Sequence, residues 1–190
     1  MKLPLKIKGI LLIILTSLLI GVTGTIVCGV GIKRLITNEY KSRSIDIANA
    51  MAEIVDASEV RVLRDNILDI YNNEENVVLS DEWGTPEFEE YISHYSAIED
   101  TQEFKSLREQ LHKVQDVIEV DCLYINWLIY EDDCYIYLVD AADEGACPPG
   151  CVDPLFLSGE STKEELVKGC QPNMTHTEEY GYLMTTGMPI

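Results

Sequence analysis

Basic residues are scarce in this chain, and the few present are unevenly placed. The 190 residues contain 14 Lys and Arg against 33 Asp and Glu, which gives a net charge of −19. Seven of the basic residues but only one acid, Glu39, precede position 44, so residues 44–190 carry 7 basic and 32 acidic side chains. A surface of that sign repels phosphate backbones, so nucleic acid is not expected as a partner.

Short motifs that mark common catalytic sites are also lacking. The chain contains no GxSxG nucleophile elbow, HExxH zinc motif, Walker phosphate loop or GGDEF sequence. No CxxC pair occurs, and His94, His112 and His176 have no partner at metal-ligand spacing. The sequence therefore predicts no metal or other cofactor and no enzymatic activity.

The longest apolar run covers residues 9–32, 24 positions without a charge. About 20 apolar residues suffice to cross the hydrocarbon layer, so this run predicts a transmembrane helix. The lysines before it place residues 1–8 in the cytoplasm and residues 33–190 outside the cell membrane, by the positive-inside preference. Small residues at every fourth position, Gly21, Thr25 and Gly29, let two membrane helices approach closely and suggest a homodimer.

A cleaved signal peptide is the alternative interpretation of the same run. Its basic start and the small residues near Gly24 suit signal peptidase. Signal peptides typically have an apolar core of about 7–15 residues, however, and this run is longer.

Helical patterns fill the first half of the region that follows. No Pro or Gly occurs from residue 33 to residue 72, so the membrane helix is expected to continue outward as a mechanical link, although an ordinary amphipathic helix has the same pattern. Its apolar face is predicted at helical spacing: Tyr40, Ile47, Met51 and Ile54. Three further helix starts are indicated by capping patterns: Asp56 with Glu59, Thr85 with Pro86, and Asp100 with Glu103.

Strand patterns begin after position 120. Residues 120–130 and 134–141 are rich in aromatic and β-branched residues, and the polar residues 131–133 between them predict the turn of a β-hairpin. A short helix is expected at residues 162–167 and a final strand of the same sheet at residues 179–186. The fold class is α+β, with helices first and then an antiparallel sheet, which is expected to be incomplete where the chain ends.

Two stretches resemble the extracytoplasmic Cache-type sensor domains of bacterial membrane receptors, in particular those ahead of GGDEF diguanylate cyclase domains. They are YIYLVDAADEGACPPGCVDP (135–154) and EEYGYLMTTGMPI (178–190). The resemblance implies a PAS-like antiparallel sheet behind a long N-terminal helix. It also implies a last strand, a second membrane helix and a cytoplasmic output domain after residue 190.

The resemblance further implies a ligand site on the sheet. Cache domains hold small ligands on the concave side of the sheet, and a YxxD-like pattern, matched by Tyr137 and Asp140, places an aspartate near a ligand ammonium. Tyr124 and Trp127 complete the candidate ligand-binding set. The residues themselves leave other interpretations open: the aromatics fit a core, Asp140 fits a cap of the following loop, and strand alternation separates Tyr137 from Asp140 unless a bulge intervenes.

Cys147 and Cys151 are the candidates for a disulfide. The Pro-Pro-Gly turn between them can bring two Cα atoms within about 6 Å, the usual disulfide span. A metal site is the alternative, and in a reducing compartment both stay as thiols. Five cysteines lie outside the apolar run, so one of them is left over or paired between chains.

The leading interpretation is a membrane-anchored, extracytoplasmic sensor domain for an unknown small-molecule ligand, with residues 9–32 in the membrane. Two alternatives remain open. One is a membrane-anchored or secreted structural or interaction domain without a small-molecule ligand, and the other is a secreted enzyme released from a signal peptide.

Overall fold

The structure is a computed structural model that describes residues 4–118, 120–155, 166–177 and 181–190. Within these residues, α-helices come first and β-strands follow, which confirms the α+β order expected from the sequence. The α-helices are α1 (Leu5–Ile54), α2 (Ala57–Tyr71), α3 (Pro86–Ser93) and α4 (Gln102–Ile118). The strands are β1 (Tyr124–Ile129), β2 (Cys134–Asp140), β3 (Val152–Pro154), β4 (Cys170–Thr177) and β5 (Gly181–Gly187).

Helix α1 runs without a break from the apolar run into the folded region, as predicted. Its 50 residues correspond to about 75 Å at the usual helical rise. Residues 9–32 are exposed along their whole length, and the helix is long and apolar enough to cross a bilayer, a criterion that a signal sequence also meets. The packed end lies near Met51, whereas Tyr40 and Ile54 of the predicted apolar face are more than half exposed.

Local cap chemistry starts α2 and α3 where the sequence predicts. The Asp56 carboxylate accepts a hydrogen bond from the backbone N–H of Ser58 at 2.8 Å and caps α2. The Thr85 hydroxyl accepts one from the N–H of Phe88 at 3.2 Å, with Pro86 in the first turn of α3. Each side chain satisfies a donor that the first helical turn leaves without a partner.

The predicted cap of α4 is wrong by one residue. Asp100 is the last residue of a 3-10 helix, Ser96–Asp100, so it cannot serve as the cap. Thr101 takes that role, because its hydroxyl accepts a hydrogen bond from the N–H of Phe104 at 3.3 Å. A second 3-10 helix, Ser80–Glu82, precedes α3.

The predicted hairpin forms the first sheet, in the order β1-β2-β3 with both pairings antiparallel. The register pairs Ile125 with Val139 and Asn126 with Tyr137, so it skips Leu138 on β2. This extra residue is a β-bulge, which re-aims the side chains on either side of it.

The final strand belongs to a different sheet from the one predicted. Strand β5 pairs with β4 in a separate two-stranded sheet, and the sequence analysis missed β4 altogether. Pro172 lies inside an irregularity of the register between Cys170 and Asn173, where its missing N–H removes no ladder bond. The helix expected at residues 162–167, like the start of the strand expected at 179–186, lies largely outside the described residues.

The core lies between α2, α4 and β2, which are in contact with one another. Buried apolar side chains from all three elements form it: Leu63, Ile67, Leu107, Leu111, Ile136 and Leu138. Helix α1 contacts α4 and also runs along β4 and β5. The single sheet expected behind the long helix is therefore divided into two sheets, and α1 supports the second of them.

Candidate functional site

Three tyrosines meet on one side of the first sheet. The Tyr124 ring lies 5.1 Å from the Tyr137 ring, and the Tyr135 ring lies 5.6 Å from it, measured between centroids. Tyr135 and Tyr137 are two residues apart on β2, so they share a face, and the hairpin brings Tyr124 of β1 beside them. Burial raises the pKa of Tyr124 to about 12 and raises the pKa values of the other two phenols. The three phenols therefore stay protonated at neutral pH, and the hydroxyls of Tyr135 and Tyr137 act as hydrogen-bond donors.

Asp153 on β3 accepts hydrogen bonds from two of these hydroxyls, and this residue was not among the candidates predicted from the sequence. Its Oδ2 accepts hydrogen bonds from Tyr135 at 3.0 Å and from Tyr137 at 3.2 Å. Its Oδ1 accepts one from the hydroxyl of Ser80. Three hydroxyl donors on one carboxylate balance the removal of that charge from water.

Asp140 is buried, with 8% of its surface exposed. Its Oδ1 accepts a hydrogen bond from the N–H of Ala142 at 2.9 Å, and its Oδ2 accepts one from the N–H of Cys147 at 3.0 Å. Asp140 therefore caps the loop that follows β2, which is one of the two roles that the sequence left open.

The bulge at Leu138 brings Tyr137 and Asp140 to the same loop. Strict alternation would separate these two residues, which are three positions apart. In the structure the carbonyl of Tyr137 accepts a hydrogen bond from the N–H of Gly150, while the carboxylate of Asp140 accepts one from the N–H of Cys147. Tyr124, Tyr137 and Asp140 of the candidate set thus lie together, with Tyr124 paired to Asp140 across the hairpin.

Trp127 lies apart from the other three candidate residues. It is three positions after Tyr124 on β1 and so projects from the opposite face of that strand. The Arg64 guanidinium of α2 lies 4.7 Å from the centroid of the Trp127 ring, a cation–π contact. The candidate set predicted from the sequence is therefore divided between the two faces of the hairpin.

The loop at residues 147–151 is fastened to β2 by backbone hydrogen bonds. The N–H of Gly150 donates to the carbonyl of Tyr137 at 3.0 Å, and the N–H of Tyr137 donates to the carbonyl of Cys151 at 2.9 Å. Cys147 is half-buried, Cys151 is fully buried, and both are free thiols in the structure. The disulfide between them stays a prediction.

Electrostatics make the two thiols unlike each other. The interaction with the Cys151 thiol lowers the pKa of Cys147, and the same interaction together with burial raises the pKa of Cys151. Burial and the nearby carboxylates of Asp140 and Asp153 act to raise the pKa of Cys147, but the net effect is still a lowered pKa.

The same loop rests on α3 through a glycine. Gly150 has φ +89°, and a Cβ at this position would overlap the ring of Tyr95. The Tyr91 hydroxyl donates to the carbonyl of Gly150 at 3.0 Å and lies 3.1 Å from the Tyr95 hydroxyl. Burial raises the pKa of Tyr95 to about 12.

Two open grooves lie elsewhere on the surface. One, of about 410 Å³, follows α4 past Phe104, Lys105, Arg108 and His112, and the other, of about 260 Å³, lies between α3 and the two prolines of the loop. None of the four candidate ligand-binding residues lines either groove. In the part of the chain that the structure describes, no group of three or more His, Cys, Asp or Glu side chains is placed to hold a metal ion.

Comparison with known proteins leaves the family open. The resemblance to Cache domains remains a prediction that rests on the two quoted stretches, residues 135–154 and 178–190. No protein-family model, no curated protein and no solved structure matches the chain.

Proposed function

We propose that this chain is the membrane-anchored, extracytoplasmic ligand-sensing domain of a signal-transduction receptor and has no catalytic site of its own. The observation that carries the proposal is the continuity of α1, which joins the apolar run to the folded region without a break. A flexible linker would absorb a displacement of the domain, whereas a continuous helix transmits it. A ligand acts through such a helix when it binds two arrangements of the domain with different affinities.

The tyrosine and aspartate cluster suits a ligand with an ammonium group. Tyr124 and Tyr137 offer aromatic faces, which attract cations, and Asp140 and Asp153 add two carboxylates. A ligand ammonium at Asp140 competes with the N–H of Cys147 for Oδ2. Binding would therefore release the loop, and this release provides the two arrangements that sensing requires.

A second candidate function is a structural or interaction domain without a small-molecule ligand. The observation that favours it is that protein donors already occupy both oxygens of Asp140 and both oxygens of Asp153. The rings of Tyr124 and Tyr137 also pack on each other and so satisfy part of the site.

Thermal unfolding of the full chain in lipid nanodiscs separates the two functions. We expect at least one compound in a panel of amines, amino acids and carboxylates to raise the midpoint of unfolding, and we expect the effective compounds to carry an ammonium group. Asp140→Asn should abolish that rise, whereas Asp143→Asn, an exposed carboxylate three residues further on, should leave it intact. A panel without any stabilising compound would favour the structural function.

Anchoring and sidedness are tested on intact cells. We expect the mature protein in the membrane fraction to keep the mass of the whole chain, and a membrane-impermeant maleimide to label the exposed Cys122. In a Lys8→Cys variant, position 8, on the other side of the apolar run, should be labelled only after the cells are opened, as peptide mass mapping shows. Release of a shortened chain into the medium would instead identify the apolar run as a signal sequence.

A further inference from the structure

The tight turn at residues 147–151 carries one thiol at each end, and the two thiols lie at different depths. Cys151 has no exposed surface and Cys147 is partly exposed, and the backbone N–H of Cys151 donates to the carbonyl of Pro148 at 3.1 Å, which closes the turn between them. Backbone bonds already fix both ends of the loop, through Asp140 at Cys147 and through Tyr137 at Cys151. A disulfide is therefore not needed to hold the loop in place, and the thiol pair is available for chemistry.

We propose that Cys147 and Cys151 form a thiol–disulfide exchange site, in which Cys147 attacks a small exposed disulfide and Cys151 is the resolving thiol. Thiol–disulfide exchange requires one accessible sulfur that meets the substrate and a second sulfur close enough to displace it. Cys147, which is partly exposed, supplies the first sulfur, and Cys151, which is fully buried, supplies the second. This inference does not depend on whether the chain senses a ligand.

Exchange proceeds in two balanced steps. The Cys147 thiol loses its proton and attacks one sulfur of the substrate disulfide, whose S–S bond breaks and whose second half leaves as a thiolate that takes up the proton. The Cys151 thiol then loses its proton and attacks the Cys147 sulfur of the mixed disulfide, which expels the remaining half as a second thiol. The pair is oxidised by two electrons to the Cys147–Cys151 disulfide, and the substrate disulfide is reduced to two thiols.

The environment of Cys147 favours this role over that of other cysteines. The thiolate is the nucleophile in exchange, and the interaction with the Cys151 thiol lowers the pKa of Cys147. Burial raises the pKa values of Cys134 and Cys170, which makes these two thiols poor nucleophiles at neutral pH.

Oxidised glutathione tests the proposal on the full chain in detergent micelles. The reduced protein is incubated with it, and peptide mass mapping follows each cysteine over time. We expect glutathione on Cys147 first and the Cys147–Cys151 disulfide afterwards, with two molecules of glutathione released for each pair oxidised. Glutathione that appears on Cys151 as early as on Cys147 would overturn the proposal, and so would a Cys147 that stays unmodified while the exposed Cys122 reacts.

Variants separate the two thiols. Cys151→Ser should stop the reaction at a stable mixed disulfide on Cys147, with one glutathione released. Cys147→Ser should slow the modification of Cys151 by at least about tenfold, because a buried thiol meets no substrate. Cys122→Ser is the matched control and should leave the reaction of the pair unchanged. If Cys151→Ser does not fold, the order of modifications in the unaltered chain still tests the proposal. A Cys147–Cys151 disulfide that forms without a preceding mixed disulfide at Cys147 would contradict the mechanism.

Discussion

The α-carbon of Gly150 lies against the face of the Tyr95 ring, so close that a side chain of any size would overlap the ring. Tyr91 secures the same contact by donating its hydroxyl proton to the Gly150 carbonyl. The Tyr91 hydrogen bond joins the thiol-bearing loop to α3, and the Tyr95 contact joins it to the residue before the 3-10 helix Ser96–Asp100.

We expect Gly150→Ala to lower the free energy of unfolding by about 2–5 kcal/mol, because a left-handed backbone costs a residue with a Cβ about 1–2 kcal/mol and overpacking adds about 1–3 kcal/mol. Gly145→Ala is the control, since Gly145 also has a positive φ (+68°) but has open space around it. That substitution should cost only the backbone part, about 1–2 kcal/mol. Denaturant unfolding measures both, and equal losses would show that the Tyr95 contact contributes nothing.

The carboxylate of Asp153 accepts hydrogen bonds from the hydroxyls of Ser80, Tyr135 and Tyr137. Asp153→Asn replaces one carboxylate oxygen by an N–H donor, so at least one of the three hydroxyls loses the acceptor that it has in the structure. We expect a loss of about 1–3 kcal/mol in the free energy of unfolding, the usual cost of an unsatisfied buried polar group. Glu131→Gln, in the exposed hairpin turn, should change the free energy by less than about 0.5 kcal/mol. If Asp153→Asn left the free energy of unfolding unchanged, the three hydroxyls would have to find other acceptors.

The reactivity of Cys147 should depend on pH differently from that of Cys170. The groups that act on Cys147 are Cys151, Tyr137, Asp140 and Asp153, and their net effect is a lowered pKa; burial raises the pKa of Cys170. As the pH rises, the thiolate of Cys147 therefore appears first. We expect the rate of iodoacetamide alkylation at Cys147 to reach half its maximum at a lower pH than at Cys170, measured by mass mapping.

Removing the Cys151 thiol provides the control for this pH profile. Cys151→Ala should move the alkylation profile of Cys147 to higher pH, because the interaction that favours its thiolate is lost. Cys122→Ala should leave the profile where it is. A profile that does not respond to Cys151→Ala would contradict the role of Cys151 in lowering the pKa of Cys147.

Thr101 rather than Asp100 should control the start of α4. Thr101→Ala removes the acceptor of the Phe104 N–H and should cost about 1 kcal/mol of unfolding free energy. Asp100→Ala removes only a surface ion pair with Lys105, which contributes little because both side chains are exposed. Thermal unfolding compares the two variants, and a larger loss for Asp100→Ala would reverse the assignment.

Local rules predicted the parts of the fold that local chemistry decides. The Thr85-Pro86 helix start, the Asp56 cap and the hairpin after residue 120 are each specified by a few adjacent residues, and the structure contains all three. Strand β4 was not predicted, and Pro172 inside it argues locally against a strand; only the pairing with β5 shows that the proline lies in an irregular part of the ladder.

The candidate site depends on contacts that no local pattern contains. Asp153 belongs to a three-residue strand, too short for periodicity, and its partners Ser80 and Tyr135 come from distant parts of the chain. A bulge at Leu138 decides which side chains reach the loop, and nothing in the alternation of residues 134–140 predicts it. Trp127 was grouped with Tyr124 because the resemblance to Cache domains implies aromatic side chains around a ligand, although strand alternation places the two on opposite faces.

The length of α1 gives small rearrangements a large effect. The helix contacts α4, β4 and β5 and is buried at Met51, whereas residues 9–32 are exposed along their whole length, so α1 can act as a lever with its pivot in the folded region. At about 1.5 Å per residue, a tilt of about 2° about Met51 moves the helix axis by about 1 Å at Ile32 and by about 2.4 Å at Leu5. The same small rotation therefore shifts the first residues of α1 more than twice as far as the last residue of the apolar run.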